Sequence, residues 1–258
     1  MEASDTLRER LLILCRATPE ESKRYTRTVC VAGLTDHGEL RRIYPVPFRQ
    51  FVPAGGIPFR KKQWIEADLG PPESKQDRRR ESRRINLRTV SAGPRVEDSE
   101  VRLAITPHLA QNIASLEANG ATLGILKPDI VHYDVTITST DLTTGQMTLD
   151  PGDTGTRVGL AKLGQESHYQ FNCPKRTGCV CEKHPHDMIC LDWEVNELYR
   201  NIIKSGTTAP AQIEYKMRQR LFYWMRNDRE TYFMLGTHHL WRSWMVVSII
   251  HLRPEDTA

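Results

Sequence analysis

Four of the six cysteines, Cys173, Cys179, Cys181 and Cys190, fall within eighteen residues, and His184 and His186 lie among them. No other stretch limits the fold so strongly. Thiolates and imidazoles this close together, on a loop loosened by Pro174, Gly178 and Pro185, can converge on one ion without a preformed core. The remaining Cys15 and Cys30 sit in apolar, strand-like runs, so in a reducing compartment the window reads as a metal loop rather than a disulfide framework. Cys173, Cys179 or Cys181, and His184 or His186 are the candidate donors. Their spacing is not the repeated two-residue gap of a ribbon or finger. Four protein donors leave no place for water, so the expected ion is a structural zinc; an iron–sulfur cluster, which needs mainly cysteine, and unrelated thiols are the alternatives.

The rest of the chain supports a core. Its 258 residues are 39% apolar and 26% charged with a formal charge of +4, ordinary values for a folded protein. No apolar run reaches the roughly 18–20 residues of a membrane span. Residues 1–10 are polar and Leu11–Cys15 is short for a signal sequence, so a cytoplasmic protein is expected.

Short β-branched runs predict strands at Leu11–Cys15, Thr28–Leu34, Leu40–Val46 and Gln63–Leu69, with a turn at Asp36-His37-Gly38-Glu39. Thr106 followed by Pro107, with Leu109, Ile113 and Leu116 at helical intervals and Gly120 as a stop, predicts a helix over 106–120. Strands are expected at Ile130–Ile137, Gln146–Leu149 and Trp244–Leu252, and helices at Leu191–Ile203 and Ala211–Arg226. The pattern is α+β: a β-rich module at 1–98 with a basic, Arg-rich loop, and a mixed α/β module at 99–258 with the Cys/His loop and C-terminal helices.

Charge is unevenly placed. Residues 1–100 hold 20 Lys and Arg against 15 Asp and Glu, while the remainder holds 16 against 17. Lys75–Arg88 carries Arg78, Arg79, Arg80, Arg83 and Arg84 with few apolar residues, which predicts a solvated loop able to contact phosphates. Beyond the metal window, Asp192 and Glu194 straddle a helix start, where they serve either as cap and dipole partner or as fixed catalytic carboxylates. His238, His239, Trp241 and Arg242 share a loop between apolar runs and offer stacking and phosphate contacts, or plain packing; Lys127 and Asp129 flank Pro128 on a turn. No phosphate-binding loop, dinucleotide fingerprint, nucleophile elbow, His-Glu-x-x-His pair or zinc-deaminase pattern occurs, which removes most named reaction classes.

The strings Tyr25–Gly33, Arg42–Arg49, Leu123–Pro128, His186–Glu194 and Phe233–Trp244 together resemble a poorly described prokaryotic family of genomic defence neighbourhoods, similar in character to anti-phage DNA glycosylases that excise modified cytosine from phage DNA. In that pattern Cys and His precede Asp-Trp-Glu. The resemblance implies the ligand set Cys173, Cys179, Cys181 and His186, with His184 and Cys190 in reserve, and a hydrolase that flips a modified base out of DNA. Asp192 or Glu194, then Asp129, would stabilise the sugar cation, and His238 or His239 would assist the leaving base. Arg78, Arg79, Arg80, Arg83, Arg84, Lys127, Trp241 and Arg242 would hold the DNA. A zinc-stabilised reader of modified bases without enzymatic activity, or an endonuclease, is the competing expectation.

Overall fold

The structure is a computed structural model that describes residues 6–22, 25–51, 59–74, 77, 79–140, 146–147, 158–159, 164–238 and 242–255. The first half contributes strands β1 (Leu7–Arg16), β2 (Glu20–Ser22), β3 (Thr26–Thr35), β4 (Leu40–Pro47), β5 (Gln63–Gly70), β6 (Ser82–Ile85) and β7 (Ser91–Arg95). β1 pairs with both β3 and β5, β3 with β4, β4 with β6 and β6 with β5, which closes a five-stranded barrel in the order β1-β3-β4-β6-β5. All the pairs of this ring are antiparallel except β4–β6. Counting the five barrel strands in chain order, the ring runs 1-2-3-5-4 with a parallel 3–5 pair, the connectivity of an OB barrel.

Hydrophobic alternation in β1 explains its unbroken apolar run. Leu11 and Ile13 point into the barrel with Val29, Val31, Ile43 and Ile65, whereas Leu12, Leu14 and Cys15 point outward into a second core. A strand buried on both faces loses the polar alternate positions that would mark a half-exposed one. The outer core is shared between the halves, because it also holds Val101, Ile105, Leu123, Ile125, Met234 and Ile250.

The second half contains α1 (Asp98–Ile105), α2 (Ile113–Ala118), β8 (Leu123–Leu126), β9 (Asp129–Ile137), the short pair β10 (Gln146–Met147) and β11 (Val158–Gly159), β12 (Gln165–Asn172), β13 (His186–Ile189), α3 (Trp193–Lys204), α4 (Pro210–Arg218), α5 (Met225–Asn227), β14 (Glu230–Thr237) and β15 (Trp244–Leu252). A π-helical turn, Gln219–Trp224, joins α4 to α5. Two three-stranded antiparallel sheets, β13-β12-β9 and β15-β14-β8, pack around Tyr133, Tyr169, Phe171 and Phe233. The molecule is α+β, and no helix among the described residues is long and apolar enough to cross a membrane.

Two expectations are corrected. The helix over 106–120 is not continuous: α1 ends at Ile105, Thr106–His108 forms a 3-10 turn, and α2 begins at Ile113 with Asn112 as its cap. Leu109 lies between them as a bridge to Ile125, and the Ala110 N–H donates to the Ile125 carbonyl, so sheet pairing overrides the helical spacing. The Arg-rich run is not wholly a solvated loop either, since Ser82–Ile85 enters the barrel as β6 with Ser82 and Ile85 buried. Lys75, Gln76 and Arg78 lie outside the described residues, as does most of the expected strand Gln146–Leu149 beyond β10.

The tightest strand contact is at Gly33, opposite Ile13, where a Cβ would stand 2.3 Å from the Leu12 carbonyl oxygen. Gly33→Ala therefore pushes β3 off β1 at the wall that separates the two cores. It is expected to lower unfolding free energy by about 1–3 kcal/mol in chemical denaturation, the usual range for overpacking.

Candidate functional site

The Cys/His loop forms in the β12–β13 hairpin. Asn172 ends β12, Cys173 follows, and His186 opens β13 directly opposite Phe171. Between them Gly178 turns with φ of +75°, a left-handed conformation that glycine adopts without strain. A 3-10 turn at Val180–Glu182 then brings Cys181 inward. The four ligand atoms of Cys173, Cys179, Cys181 and His186 lie within 4.8 Å of one another, with Sγ to Sγ of 3.9 Å for Cys173 and Cys179 and Sγ to Nε2 of 3.2 Å for Cys179 and His186. A tetrahedron with zinc-type bond lengths has edges of about 3.8 Å between sulfurs and about 3.5 Å from sulfur to nitrogen. The donor set fits one metal ion.

Electrostatics favour a thiolate here. Burial raises the Cys173 thiol, and it opposes ionisation of Cys179 too, but the backbone N–H groups of Cys181 and Ala114 and the neighbouring sulfurs bring Cys179 below its ordinary value. The alternates are excluded by position. His184 is exposed, and Cys190 lies at the far end of β13, buried in a bridge to Val246. The loop is tied to α2: Asn112 Nδ2 donates to the carbonyls of Lys175 and Thr177 at 3.1 and 3.3 Å.

Asp192 is not poised over a ligand. It is 1% exposed and caps α3, accepting from the Glu194 N–H at 2.8 Å, the Ile249 N–H at 2.6 Å, Ser248 Oγ at 3.1 Å and Lys61 Nζ at 2.6 Å. Those donors use up the carboxylate, so its work is capping and ion pairing. Lys61, also buried, reaches Glu194 at 3.2 Å and the Ile249 carbonyl at 3.2 Å. Burial would lower the Lys61 ammonium, yet Asp192 and Glu194 outweigh it and raise it. Glu194 is partly exposed, with Arg16 at 3.5 Å as a second partner; burial opposes its charge, and the two cations hold its carboxyl below the ordinary value.

A second feature is a cleft of about 470 Å³ where the barrel meets the second half. Ala17, Glu20 and Tyr25 reach it from the β1–β3 connection, Cys30, Arg42, Tyr44 and Pro45 from β3 and β4, and Glu73, Ser74, Asp77 and Arg79 from the β5–β6 connection. Leu191, Thr237, His238, Met245 and Val247 close it from the other half. Arg79 grips Asp77 through Nε and Nη2 at 2.7 and 2.8 Å and donates from Nη1 to the Thr237 carbonyl at 3.3 Å. Burial alone would raise the Asp77 carboxyl; the Arg79 guanidinium instead holds it down to about 2. Tyr25 OH donates to Glu73 at 3.5 Å, and Thr28 Oγ1 to Tyr44 OH at 3.2 Å.

The structure therefore divides the expected site. Arg79 and His238 enter the cleft, while Asp192, Glu194 and Asp129 do not line it. Asp129 lies beside the metal loop, paired with Arg176 at 3.1 Å and accepting from Asn172 at 3.2 Å, and Lys127 pairs with Glu230 at 2.5 Å. Arg80 and Arg84 are exposed, Arg83 donates to the carbonyls of Arg80 and Ser82, and Arg242 is exposed with its N–H on the His238 carbonyl. Arg78, His239 and Trp241 lie outside the described residues. Tyr25, Tyr44, Glu73 and the Lys61 hub were not singled out from the sequence; Asp77, visible as an acid inside a basic run, was the available signal.

One family model, Domain of unknown function (DUF8758), matches residues 7–107, and a second, Domain of unknown function (DUF8757), matches residues 110–258. The second spans more than half of the chain, which belongs to that family. No curated protein matches. Among solved structures, a replication protein A heterotrimer bound to ssDNA is similar at 6% identity over 98% of this chain and 67% of that one, with a TM-score of 0.28, a superposition too loose to carry an argument.

Two outcomes are expected at these sites. Freshly purified protein should hold about one equivalent of metal by elemental analysis, and Cys179→Ser should lose it together with several degrees of Tm. Asp192→Ala strands Lys61 in a buried position and is expected to cost about 3–5 kcal/mol in denaturant unfolding, the range for removing one partner of a buried pair.

Proposed function

We propose that this DUF8757-family chain acts on nucleic acid, admitting one extruded nucleotide to the cleft and hydrolysing its N-glycosidic bond, with a structural zinc at the Cys/His loop. The observation that carries the reading is the cleft's position. It is built from the second and third barrel strands, β3 and β4, and from the connections between the first and second and the fourth and fifth strands. OB barrels bind oligonucleotides and oligosaccharides on that face and with those two loops. This step is an analogy of fold; the side chains supply the chemistry.

Charge is sorted across the cleft in a way that suits a base inside and phosphates outside. Asp77 neutralises Arg79, and Arg42 is committed to Glu81 at 3.1 Å and to the Thr122 carbonyl at 2.7 Å, so neither arginine of the lining is left to hold a phosphate, and Glu20 adds an acid. A phosphate would be repelled there, whereas the exposed Arg80 and Arg84 can meet the backbone at the barrel surface. Tyr25 and Tyr44 offer rings to a flipped base, and the Thr237 wall and His238 offer polar edges.

Cleavage of the glycosidic bond builds positive charge on the sugar, which a carboxylate stabilises while orienting water. Glu73, which lines the cleft and accepts from the Tyr25 hydroxyl at 3.5 Å, is the carboxylate assigned to that role; Asp77 is gripped by Arg79. His238 is the group assigned to the departing base. Asp192 supports the site indirectly by capping α3 and so fixing Leu191, the residue before it, in the cleft lining. The resemblance to defence-associated glycosylases points to modified cytosine in phage DNA as the substrate and to the cytoplasm as the place of action.

Incubation with unmodified and base-modified DNA, followed by alkali, tests this. Alkali-labile sites in modified DNA are expected, with Glu73→Gln slowing their formation at least about 100-fold while leaving Tm within a few degrees. Direct nicks would instead mark an endonuclease, and intact strands that still bind would mark a reader.

A further inference from the structure

Away from the cleft, the π-helical turn Gln219–Trp224 carries an arrangement that the proposed function does not use. Arg220 stacks on the Trp224 ring with its guanidinium carbon 3.4 Å from the ring centroid, and Arg229, from the start of β14, lies over the same ring at 4.2 Å. At those distances two guanidinium groups cannot share one face of the ring, so the indole lies between them and each fork can meet a separate phosphate of one strand. Neither arginine has a carboxylate partner among the described residues: Arg220 makes no side-chain hydrogen bond, and Arg229 donates to the Asp228 carbonyl at 2.6 Å.

The neighbouring basic groups carry little free charge: burial and the nearby lysines hold the His251 imidazole down to about 4, which leaves it neutral. His251 meets the Trp224 ring edge-on at 5.4 Å, and its Nδ1 is buried without a hydrogen-bond partner. Lys62 Nζ donates to the His251 carbonyl at 2.8 Å and is balanced by Asp98 at 2.7 Å, while Lys61 is balanced by Asp192 and Glu194. Arg226 lies over Phe222 at 5.8 Å. Arg220 and Arg229, with Arg226 beside them, are therefore the cations of this face without a carboxylate partner among the described residues. Holding two cations on one indole costs repulsion, which phosphates bound at their outer faces would relieve. Tyr223, on the same turn, is 46% exposed and offers a ring to an unstacked base. π-turns inside helices recur at functional positions.

We infer that Arg220, Trp224 and Arg229 form a phosphate clamp that grips the backbone of single-stranded nucleic acid, with Tyr223 stacking on a neighbouring base. Arginine forks locked by stacking on an indole lose little freedom on binding, and base–aromatic stacking with backbone charge contacts is how unpaired strands are held without sequence preference. The inference rests on this turn alone and holds whether or not the cleft cleaves anything.

The test is fluorescence-anisotropy binding of a labelled 20-nucleotide DNA strand to the full chain over a range of salt concentrations, with tripolyphosphate as competitor. Arg220→Gln combined with Arg229→Gln is expected to weaken strand binding about 10-fold or more. It should also lower the slope of log K against log salt by about 1.4, the loss of two phosphate contacts to a single strand. Tyr223→Ala should weaken strand binding and leave tripolyphosphate competition in place. Circular dichroism checks folding, and should the Gln pair unfold, Arg220→Lys with Arg229→Lys replaces it, expected to keep the salt slope while losing several-fold in affinity with the forks. Strand binding unchanged in affinity and slope in the folded variants would overturn the clamp, as would loss of tripolyphosphate binding alone. Strand binding is read here without any cleavage, and alkali-labile sites are read without any salt titration, so failure of the clamp and failure of the cleavage reading are told apart.

Discussion

The two halves of the molecule meet around one buried ion pair. Lys61 leaves the barrel just before β5 and finds Asp192 at 2.6 Å, while the same carboxylate caps α3 and takes the N–H of Ile249 in β15. A buried lysine and a buried aspartate each lose hydration on folding, and that cost is met only when their remaining hydrogen-bonding capacity is filled. Here it is, by Ser248, Glu194 and main-chain groups from α3 and β15. The geometry therefore fixes where α3 starts, how the barrel sits against β15, and which way Leu191 faces. Trp193, the next residue, packs on Phe48 and Phe51 at 5.3 and 5.2 Å and closes the barrel core.

The cleft is a consequence of that docking. An OB-type barrel alone presents β3 and β4 as an open face; the second half roofs it with Leu191, Thr237, His238 and Met245 and turns a groove into a pocket. Arg79 and Arg42 strengthen the seam by donating to the carbonyls of Thr237 and Thr122, while the Thr237 N–H donates to the Thr122 carbonyl at 3.0 Å. The metal loop contributes from a distance. It secures the β12–β13 hairpin, and β13 runs directly into Cys190, Leu191 and the Asp192 cap.

Local chemistry was legible where the chain's own neighbours decide the outcome. The hairpin turn at 36–39, the strands β1, β3, β4, β5, β9 and β15, the helix over 193–204 and the crowding of metal donors all follow from short-range periodicity and spacing. The helix over 106–120 failed because Leu109 and Ala110 gain more from pairing with Ile125 than from an unbroken helical face. The arginine run departs from expectation in the same way: Ser82 and Ile85 look incidental among charges, yet they are the buried positions of the strand that closes the barrel, with Ile85 in its core.

By itself, then, the sequence determined an α+β chain with a β-rich start and a crowd of six candidate metal donors, since those depend on side-chain pattern and on donors a few residues apart; which four converge was decided by the hairpin. Tertiary structure alone decided that Asp192 is an anchor rather than a free acid, that Arg79 is bound to Asp77, and that Tyr25, Tyr44, Glu73 and His238 share a cleft. Those roles depend on partners up to about two hundred residues away, brought together by barrel closure and by docking of the second half, and no local pattern encodes such a distance.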